Sequence, residues 1–414
     1  MVQHITGASL LLLTLSLTGP LPHQDTRARR PSRPAIGLAS GPTAAAAPAS
    51  EGKDFADEAR LLFRIVACSG NEPLPPEMDA DTVKAHCDWL RPHMESYRKV
   101  YLGEVVPFLA TLRPATLPKT VVYPFGGGDL LSALTSYPDA TEFTTVSLEH
   151  GGDPRRVRGF TKAQLETSLD RLRQSMAQLL TLDDSSSESM MRVERGGIPG
   201  QLAFFLVGLA IHGYEPVSLR YFRLQADGSV HYLSEADIAA SDKTLAPRLD
   251  EIWNAPDFSE AFSNLELTFR PVGVEGGPLR VHRHIAANLA NAPLLKEKPL
   301  LRHLEEKGRV SILIKACSYL LWNDGFSTFR DYLLAHGEFM FSDSTGILPS
   351  QATRAGFVQE TYGDFDGPFI PASQRGTAAF RQLWKAQPHR NMPVRFGYAD
   401  VNKKPHLLVT RRAR

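Results

Sequence analysis

The stretch TVVYPFGGGDLL, residues 120–131, joins a short run of β-branched and aromatic residues to three consecutive glycines. Such a run is typical of a strand, and the glycines mark a tight turn at its end. A helix-length segment follows, and then a second strand-like run, TEFTTVSLE, over residues 141–149. This order of strand, turn, helix and strand predicts a β-α-β unit, which is the building block of parallel sheets.

The glycine-rich turn and an acid beyond it fit the pattern of a site for a nucleotide-type ligand. In open α/β sheets, ligands bind beyond the carboxyl ends of the strands, where a glycine turn lets backbone N–H groups approach them. Gly126, Gly127 and Gly128 occupy that position. Asp129 follows them, and Glu149 ends the second strand 21 residues after Gly128. This is close to the spacing at which an acidic side chain accepts a hydrogen bond from a ribose hydroxyl. The alternative is a purely structural turn.

The rest of the chain favours the same fold class. An amphipathic helix is predicted over residues 161–182 and a strongly apolar helix from residue 198 onward, with β-rich segments after it. The stretch PVRFGYADVNKKPHLLVTRR, residues 393–412, predicts a hairpin with residues 402–405 as its loop. We therefore predict an α/β fold: a mostly parallel Rossmann-like sheet with an antiparallel C-terminal hairpin, preceded by an N-terminal helical hairpin.

On the motifs VVYPFGGGD and TTVSLE and the closing hairpin, the sequence resembles the class I adenosylmethionine-dependent methyltransferase fold. The resemblance implies adenosylmethionine as the cofactor, with Gly126 to Gly128 facing its amino-acid part and Glu149 its ribose hydroxyls. The sequence departs from that pattern at Pro124, where an acid is common, and at Leu130, where the usual spacing has a glycine. Ligand or partner binding without methyl transfer is our first hypothesis, and an active methyltransferase is the second. No catalytic residue can be named for methyl transfer.

The YPFGGGD motif also resembles a group of uncharacterised exported bacterial proteins, as does the later stretch from residue 318 to residue 349. That resemblance implies export and no particular chemistry. Residues 1–22 include an apolar core typical of a signal peptide, although no Lys or Arg precedes it. Residues 23–52 have the Arg, Pro, Ala and Gly content of a disordered linker. We predict a helical hairpin over 53–115, an α/β domain over 116–414, and a periplasmic or secreted location. The alternative for the leader is an unstructured cytoplasmic segment.

The three cysteines offer one plausible pair. Cys68 follows an amphipathic helical run, Cys87 lies inside the next one, and a Pro- and Gly-rich joint separates the two runs. One disulfide could tie these helices together, in agreement with an oxidising compartment. Two independent free thiols are the alternative if the protein is not exported. Cys317 has apolar neighbours in sequence, which favours a buried inert thiol over a nucleophile.

Other residues with chemical potential have simpler structural explanations. His282 and His284 would point to one face of a strand and could hold zinc, but no third ligand is near in sequence, so surface histidines are the favoured interpretation. Asp364 and Asp366 could bind a hard cation, but a glycine-punctuated turn explains them as well. We therefore predict no metal site.

Ser342, Asp343, Ser344 and Thr345 follow a predicted strand at the edge where α/β sites form. A turn explains them, and a hydrolase with an unrecognised site near Asp343 is our third functional hypothesis. The 46 basic and 45 acidic residues leave a net charge of +1, which offers no electrostatic case for nucleic acid. No segment after the leader has the length of a membrane span, so we expect no stable membrane insertion.

Overall fold

The computed structural model describes residues 52–182, 186–241, 259–296, 298–315, 317–343, 345–365, 367, 374–396 and 405–413. The predicted signal peptide, nearly all of the predicted linker, Ser344, Asp366 and the hairpin loop residues 402–404 lie outside these ranges. None of the described helices is both long and apolar enough to cross a membrane.

Ten strands form a single mixed sheet, which confirms the α/β class. The strands are β1 Thr120–Pro124, β2 Glu142–Ser147, β3 Tyr214–Leu224, β4 Val230–Tyr232, β5 Asn264–Pro271, β6 Arg280–Ala286, β7 Val310–Ile314, β8 Gly337–Ser342, β9 Phe357–Gly363 and β10 His406–Arg412. Their order across the sheet is β4-β3-β5-β6-β2-β1-β7-β8-β10-β9.

Helices flank the sheet on both faces. They are α1 Ala56–Val66, α2 Ala80–Tyr97, α3 Val106–Leu112, α4 Leu130–Ser136, α5 Lys162–Leu182, α6 Ser187–Glu194, α7 Gly200–Ile211, α8 Glu235–Ser241, α9 Asn291–Lys296, α10 Lys298–Glu305, α11 Ser327–His336, α12 Pro349–Arg354 and α13 Gln374–Ala386. Val121 and Tyr123 of β1 join the core that includes α1, α2, α5, α6 and α7, whereas Val122 joins the core on the other face with α10, α11 and α12. This alternation follows from the two-residue period of a strand.

The sheet is not mostly parallel, contrary to our prediction. The five central strands β6, β2, β1, β7 and β8 are parallel, but among the described strands five of the nine neighbouring pairs are antiparallel. Two of the unexpected antiparallel pairs arise because short glycine-containing turns connect β3 to β4 and β5 to β6. A connection this short cannot cross over the sheet, so it can only join antiparallel strands.

The predicted second strand of the C-terminal hairpin exists as β10, but its partners are β8 and β9. Strand β10 lies between β8 and β9 and is antiparallel to both, and α13 lies between β9 and β10 in the chain. Residues 393–396, where we expected the first strand of a tight hairpin to begin, form no strand. The pairing is therefore nonlocal, which a search for turn residues does not detect.

Two N-terminal helices, α1 and α2, lie within the predicted segment and are linked by the Cys68–Cys87 disulfide, but α1 packs mainly on β3 and α7, and α2 packs mainly on α5. The alternative of two free thiols is thereby excluded. Both helices contribute side chains to the same core as α5 and α7, and Asp54 forms a β-bridge with Arg220 of β3. Helices α1 and α2 thus cover one face of the sheet and do not form a separate domain.

Candidate functional site

The order of the parallel strands reverses between β1 and β7. Their carboxyl ends share one edge of the sheet, and in α/β proteins ligands bind in the crevice where the order reverses. The glycine turn follows β1, Glu149 lies two residues beyond the end of β2, Lys315 follows β7, and Asp343 follows β8. The structure therefore brings the predicted candidates Gly126, Gly127, Gly128, Glu149 and Asp343 to a common edge.

The glycine turn is tight because neighbouring groups leave no space for side chains. A Cβ atom on Gly126 would lie 2.9 Å from the Tyr123 ring, and one on Gly128 would lie 2.8 Å from both Met190 Sδ and Phe204 Cβ. Gly127 has a φ of 45°, in the left-handed region. The turn is therefore packed against the protein itself at Gly128, where a bound cofactor would approach.

Phe125 and Cys317 have left-handed backbone conformations on the two sides of the strand-order reversal. Their φ angles are 59° and 42°, which is unfavourable for a residue with a side chain. Strained residues of this kind concentrate at functional sites, because the surrounding structure must hold them in place. Sequence reasoning did not find this feature, since neither residue type announces a positive φ.

Asp129 is held inside the protein by three hydrogen bonds. Its carboxylate accepts from the Tyr123 hydroxyl at 2.9 Å, from Lys315 Nζ at 2.8 Å and from the Ser132 amide at 3.1 Å. Lys315 also donates to Ser132 Oγ at 2.7 Å, so both charged groups are fixed at the start of α4. Asp129 is 2% exposed and Lys315 is 1% exposed. The pair joins the glycine turn to β7, and the predicted binding residue Asp129 is engaged in that junction.

Helix α6 contacts the other two predicted groups of the site. The Ser187 hydroxyl donates to the carboxylate of Glu149, which is buried. Met190 Sδ accepts a hydrogen bond from the Gly128 amide at 3.1 Å. Residues three apart lie on the same face of a helix, so one face of α6 meets both groups.

Adenosylmethionine does not fit this arrangement. In the resembling family the cofactor would need the amide side of the glycine turn and the carboxylate of Glu149. Met190, Phe204 and the Gln201 amide oxygen already pack against Gly128, and Ser187 already contacts the Glu149 carboxylate. The turn and the acid are thus together, as predicted, but the protein's own side chains occupy the approach to them.

The two histidines of β6 are buried, so our prediction of surface histidines is wrong. His282 and His284 are fully inaccessible to solvent, because β6 is paired on both edges and covered on this face. His284 Nε2 donates to the Glu149 carbonyl at 2.7 Å, so its Nδ1 accepts from Thr145 Oγ1 at 3.0 Å, and Thr145 in turn accepts from His282 Nε2 at 2.9 Å. Burial lowers the pKa of both rings, that of His284 to about 4, so both are neutral.

Metal ligation finds no support in the part of the chain that the structure describes. No group of three or more His, Cys, Asp or Glu side chains there could hold an ion. The histidine pair instead orients the backbone that carries Glu149. Asp364 lies 3.3 Å from His389, and its sequence neighbour Asp366 is among the residues that are not described.

The segments after β7 and β8 carry hydroxyls, a thiol and an acid. The Ser318 and Thr345 hydroxyls share a hydrogen bond of 2.7 Å, and Asp343 is buried with its amide donating to the Ile314 carbonyl. Burial raises the pKa of the Cys317 thiol to about 11, and the charges of Glu149 and Asp343 contribute to the rise. Cys317 therefore remains a protonated thiol at neutral pH, which is a poor nucleophile.

No protein-family model matches this chain, and no curated protein matches it.

A buried acid at the end of α6, Glu194, connects this helix to the start of α7. Glu194 Oε2 accepts a hydrogen bond of 2.6 Å from the amide of Gly200, the first residue of α7. Burial raises the pKa of Glu194 to about 7, although this bond and the charge of Arg156 act in the opposite direction. The carboxyl thus stays protonated in the folded protein over a range in which it ionises in the unfolded chain.

The Glu194→Gln variant is expected to lose a pH dependence that the wild type has. Between pH 4.5 and about 7 the folded state retains a proton that the unfolded state has released, so wild-type stability falls as pH rises through this window and levels off above it. The full difference is roughly 3 kcal/mol. Urea unfolding of both proteins across this pH range measures the effect. The free energy of unfolding of the variant is subtracted from that of the wild type at each pH, so that the contribution of the histidines, which both proteins share, cancels.

Glu188→Gln is the matched control, because Glu188 lies on the same helix with its carboxylate exposed. Its stability should follow that of the wild type at every pH. Parallel curves for Glu194→Gln and the wild type would mean that Glu194 is ionised in the folded protein.

Proposed function

We propose that this chain is an exported α/β protein that binds a small ligand or partner at the glycine turn without transferring methyl groups. The observation that carries the proposal is the pair of α6 contacts, Ser187 on Glu149 and Met190 on Gly128. They engage the hydrogen-bonding groups that a ligand would use and leave the cofactor no approach. The site thus has the residue types of a ligand site, and the α6 side chains of Ser187 and Met190 occupy it.

The strand order supports a ligand crevice at this place. Counted along the chain, the parallel strands stand in the order third, second, first, fourth, fifth, which is the order of doubly wound nucleotide-binding sheets. The reversed strand β10 beyond them agrees with the terminal hairpin of the methyltransferase fold that the sequence resembles. This topology also supports the second hypothesis, an active methyltransferase, which would require α6 to leave the turn.

The two α6 contacts indicate what chemistry a ligand would need. The Glu149 carboxylate accepts a hydrogen bond from the Ser187 hydroxyl, and the Gly128 amide donates one to the sulfur of Met190. A ligand replacing both would therefore present a hydroxyl donor and, beside it, an acceptor for a backbone N–H. An anionic group beside Glu149 is disfavoured, because it would meet the buried carboxylate directly.

Export is supported by two features of different kinds. The Cys68–Cys87 disulfide agrees with an oxidising compartment, since cytosolic reductants keep most such pairs reduced. The apolar stretch near the N-terminus has the composition of a signal-peptide core. Both observations concern compartment and neither depends on the ligand.

Calorimetry with adenosylmethionine and adenosylhomocysteine tests the proposal. We expect no binding to the wild type at millimolar ligand, because α6 occupies the approach. Ser187→Ala combined with Met190→Ala should expose the turn and allow at least one of the two ligands to bind. The added change Glu149→Ala should then abolish that binding, because the hydroxyl acceptor is lost. Thermal unfolding of each variant checks that it is folded.

Glu188→Ala is the matched control, since it alters an exposed side chain of α6 that lies away from the turn. Tight wild-type binding that is lost in Glu149→Ala, together with methyl transfer, would replace our proposal with the methyltransferase. Folded variants that lack the two α6 side chains and still bind neither ligand would remove this crevice as a site for nucleoside-type ligands.

A further inference from the structure

A second cleft, separate from the glycine turn, lies beside the outer strand β9. Its volume is about 530 Å³, within the range of small-ligand pockets. It is bounded by the end of β9, the residues that follow it, the last turns of α13 and the loop after α13. The described residues that line it are Thr361, Gly363, Asp364, Phe365, Arg381, Trp384, Lys385, His389 and Arg390.

The cleft concentrates positive charge in a chain that is nearly neutral overall. Arg381 and Lys385 are exposed and stand four residues apart on α13, and neither has an ion-pair partner among the described residues. Like charges at this spacing destabilise a helix slightly, so the pair by itself does not stabilise the fold. The lining acid Asp364 lies against His389 at 3.3 Å rather than against either cation.

The floor of the cleft is aromatic. The rings of Phe365 and Trp384 stack with centroids 4.9 Å apart and an interplanar angle of 24°. Trp384 Nε1 donates to the Gly363 carbonyl at 3.1 Å, which fixes the indole against the end of β9. Trp384 is only partly buried, so part of its indole is accessible in the cleft that Arg381 and Lys385 also line.

A third cation is held in position at the rim. Arg390 Nη1 donates to Gln387 Oε1 at 3.0 Å, and the Arg390 carbonyl accepts from the Gly363 amide at 2.8 Å. The Arg390 guanidinium also lies over the Tyr362 ring, 5.6 Å from its centroid. These contacts place the guanidinium without neutralising it, because none of the partners carries a charge.

Cations near a helix C-terminus can serve the fold alone, since they complement the helix dipole. That explanation covers Lys385 in the last turn of α13. It does not cover Arg381, which lies more than one turn from the end of the helix, and it requires neither the cavity nor the aromatic floor. Cations that have no carboxylate partner among the described residues, set around an aromatic surface, are the features of a site for an anion with a flat body.

We propose that this cleft binds a small anionic ligand that has a phosphate or carboxylate head on a flat, ring-like body. The head lies between Arg381 and Lys385, with Arg390 beside it, and the ring lies on the surface of Trp384. The site is independent of the glycine turn, since no lining residue belongs to the segments around that turn. The protein would then have two ligand sites of opposite electrostatic character.

Titration with phenyl phosphate, followed by calorimetry and by tryptophan fluorescence, tests the site. We expect phenyl phosphate to bind more tightly than inorganic phosphate or phenol, because only phenyl phosphate meets both the cations and the indole. The double variant Arg381→Gln with Lys385→Gln should weaken binding about tenfold or more, since two charge-assisted contacts are lost. Trp384→Leu should remove the advantage of phenyl phosphate over inorganic phosphate.

Lys99→Gln, combined with Arg91→Gln on α2, is the matched control, because it removes the same charge from exposed residues elsewhere. Equal loss in this control and in the cleft variant would reduce the effect to net charge and overturn the proposal. Absence of phenyl phosphate binding to the folded wild type at millimolar ligand would overturn it as well. All four substituted cations are exposed, so circular dichroism should show unchanged folding.

Discussion

Replacing Lys315 by methionine is expected to destabilise the protein by about 3–5 kcal/mol, the cost of leaving one charge of a buried pair without its partner. Lys315 Nζ lies 2.8 Å from the Asp129 carboxylate, and both side chains are almost inaccessible to solvent. Methionine has a similar length and no charge, so the variant removes the pair with little change in packed volume. Equilibrium urea unfolding measures the loss.

The double variant Lys315→Met with Asp129→Asn provides the control for this prediction. With its Oδ1 accepting from the Ser132 amide, asparagine places Nδ2 where it can donate to the oxygen of the Tyr123 hydroxyl, so the turn keeps a partner at both positions. Because no charge is then buried alone, we expect the double variant to be more stable than Lys315→Met. Equal destabilisation in the single and double variants would show that the lysine acts through packing rather than through its charge.

Removing the disulfide should cost about 3 kcal/mol, the amount expected when a loop of this size is no longer closed in the unfolded chain. The bond joins residues separated by 19 positions and ties the end of α1 to the middle of α2. Both sulfur atoms are buried in the core beneath these helices. The variant Cys68→Ser with Cys87→Ser, compared with the wild type by urea unfolding under oxidising conditions, measures the cost.

Cys317→Ser is the matched control, because Cys317 forms no disulfide. It should change stability much less than the double variant does. Under reducing conditions the wild type should approach the stability of the double variant. A wild type that is insensitive to reductant would mean that the bond is absent in the protein as isolated, and it would weaken the case for export.

Residue patterns were sufficient for features that depend on neighbours in the chain. Two amphipathic runs on either side of a Pro- and Gly-rich joint predicted the two N-terminal helices. The positions of Cys68 and Cys87 in these runs predicted the disulfide. The β-α-β unit around the glycine turn follows from the same kind of local signal. In each case the residues that mark the element lie within a short window, although its packing partners, such as β3 and α7 for α1, are remote in the chain.

The errors concern residues whose partners are remote in the chain. The histidines of β6 were predicted to be exposed, but β6 lies between two strands that come from different parts of the chain. The C-terminal strand pairs with β9 across the whole of α13 rather than with an adjacent segment. A pattern of polar and apolar residues gives the period of a strand, but it does not identify the neighbours of that strand.

The sequence by itself determined that a strand ends in a glycine turn at residues 126–128, with an acid at Glu149 after the next strand. Only the tertiary structure decided what meets them. Met190 reaches the Gly128 amide from 62 residues away, and Lys315 reaches Asp129 from 186 residues away. Such contacts form when the sheet and its helices assemble, because burial of apolar surface, rather than local conformational preference, brings distant segments together. The same glycine turn can therefore be accessible to a ligand in one protein and covered by side chains of the protein itself in another.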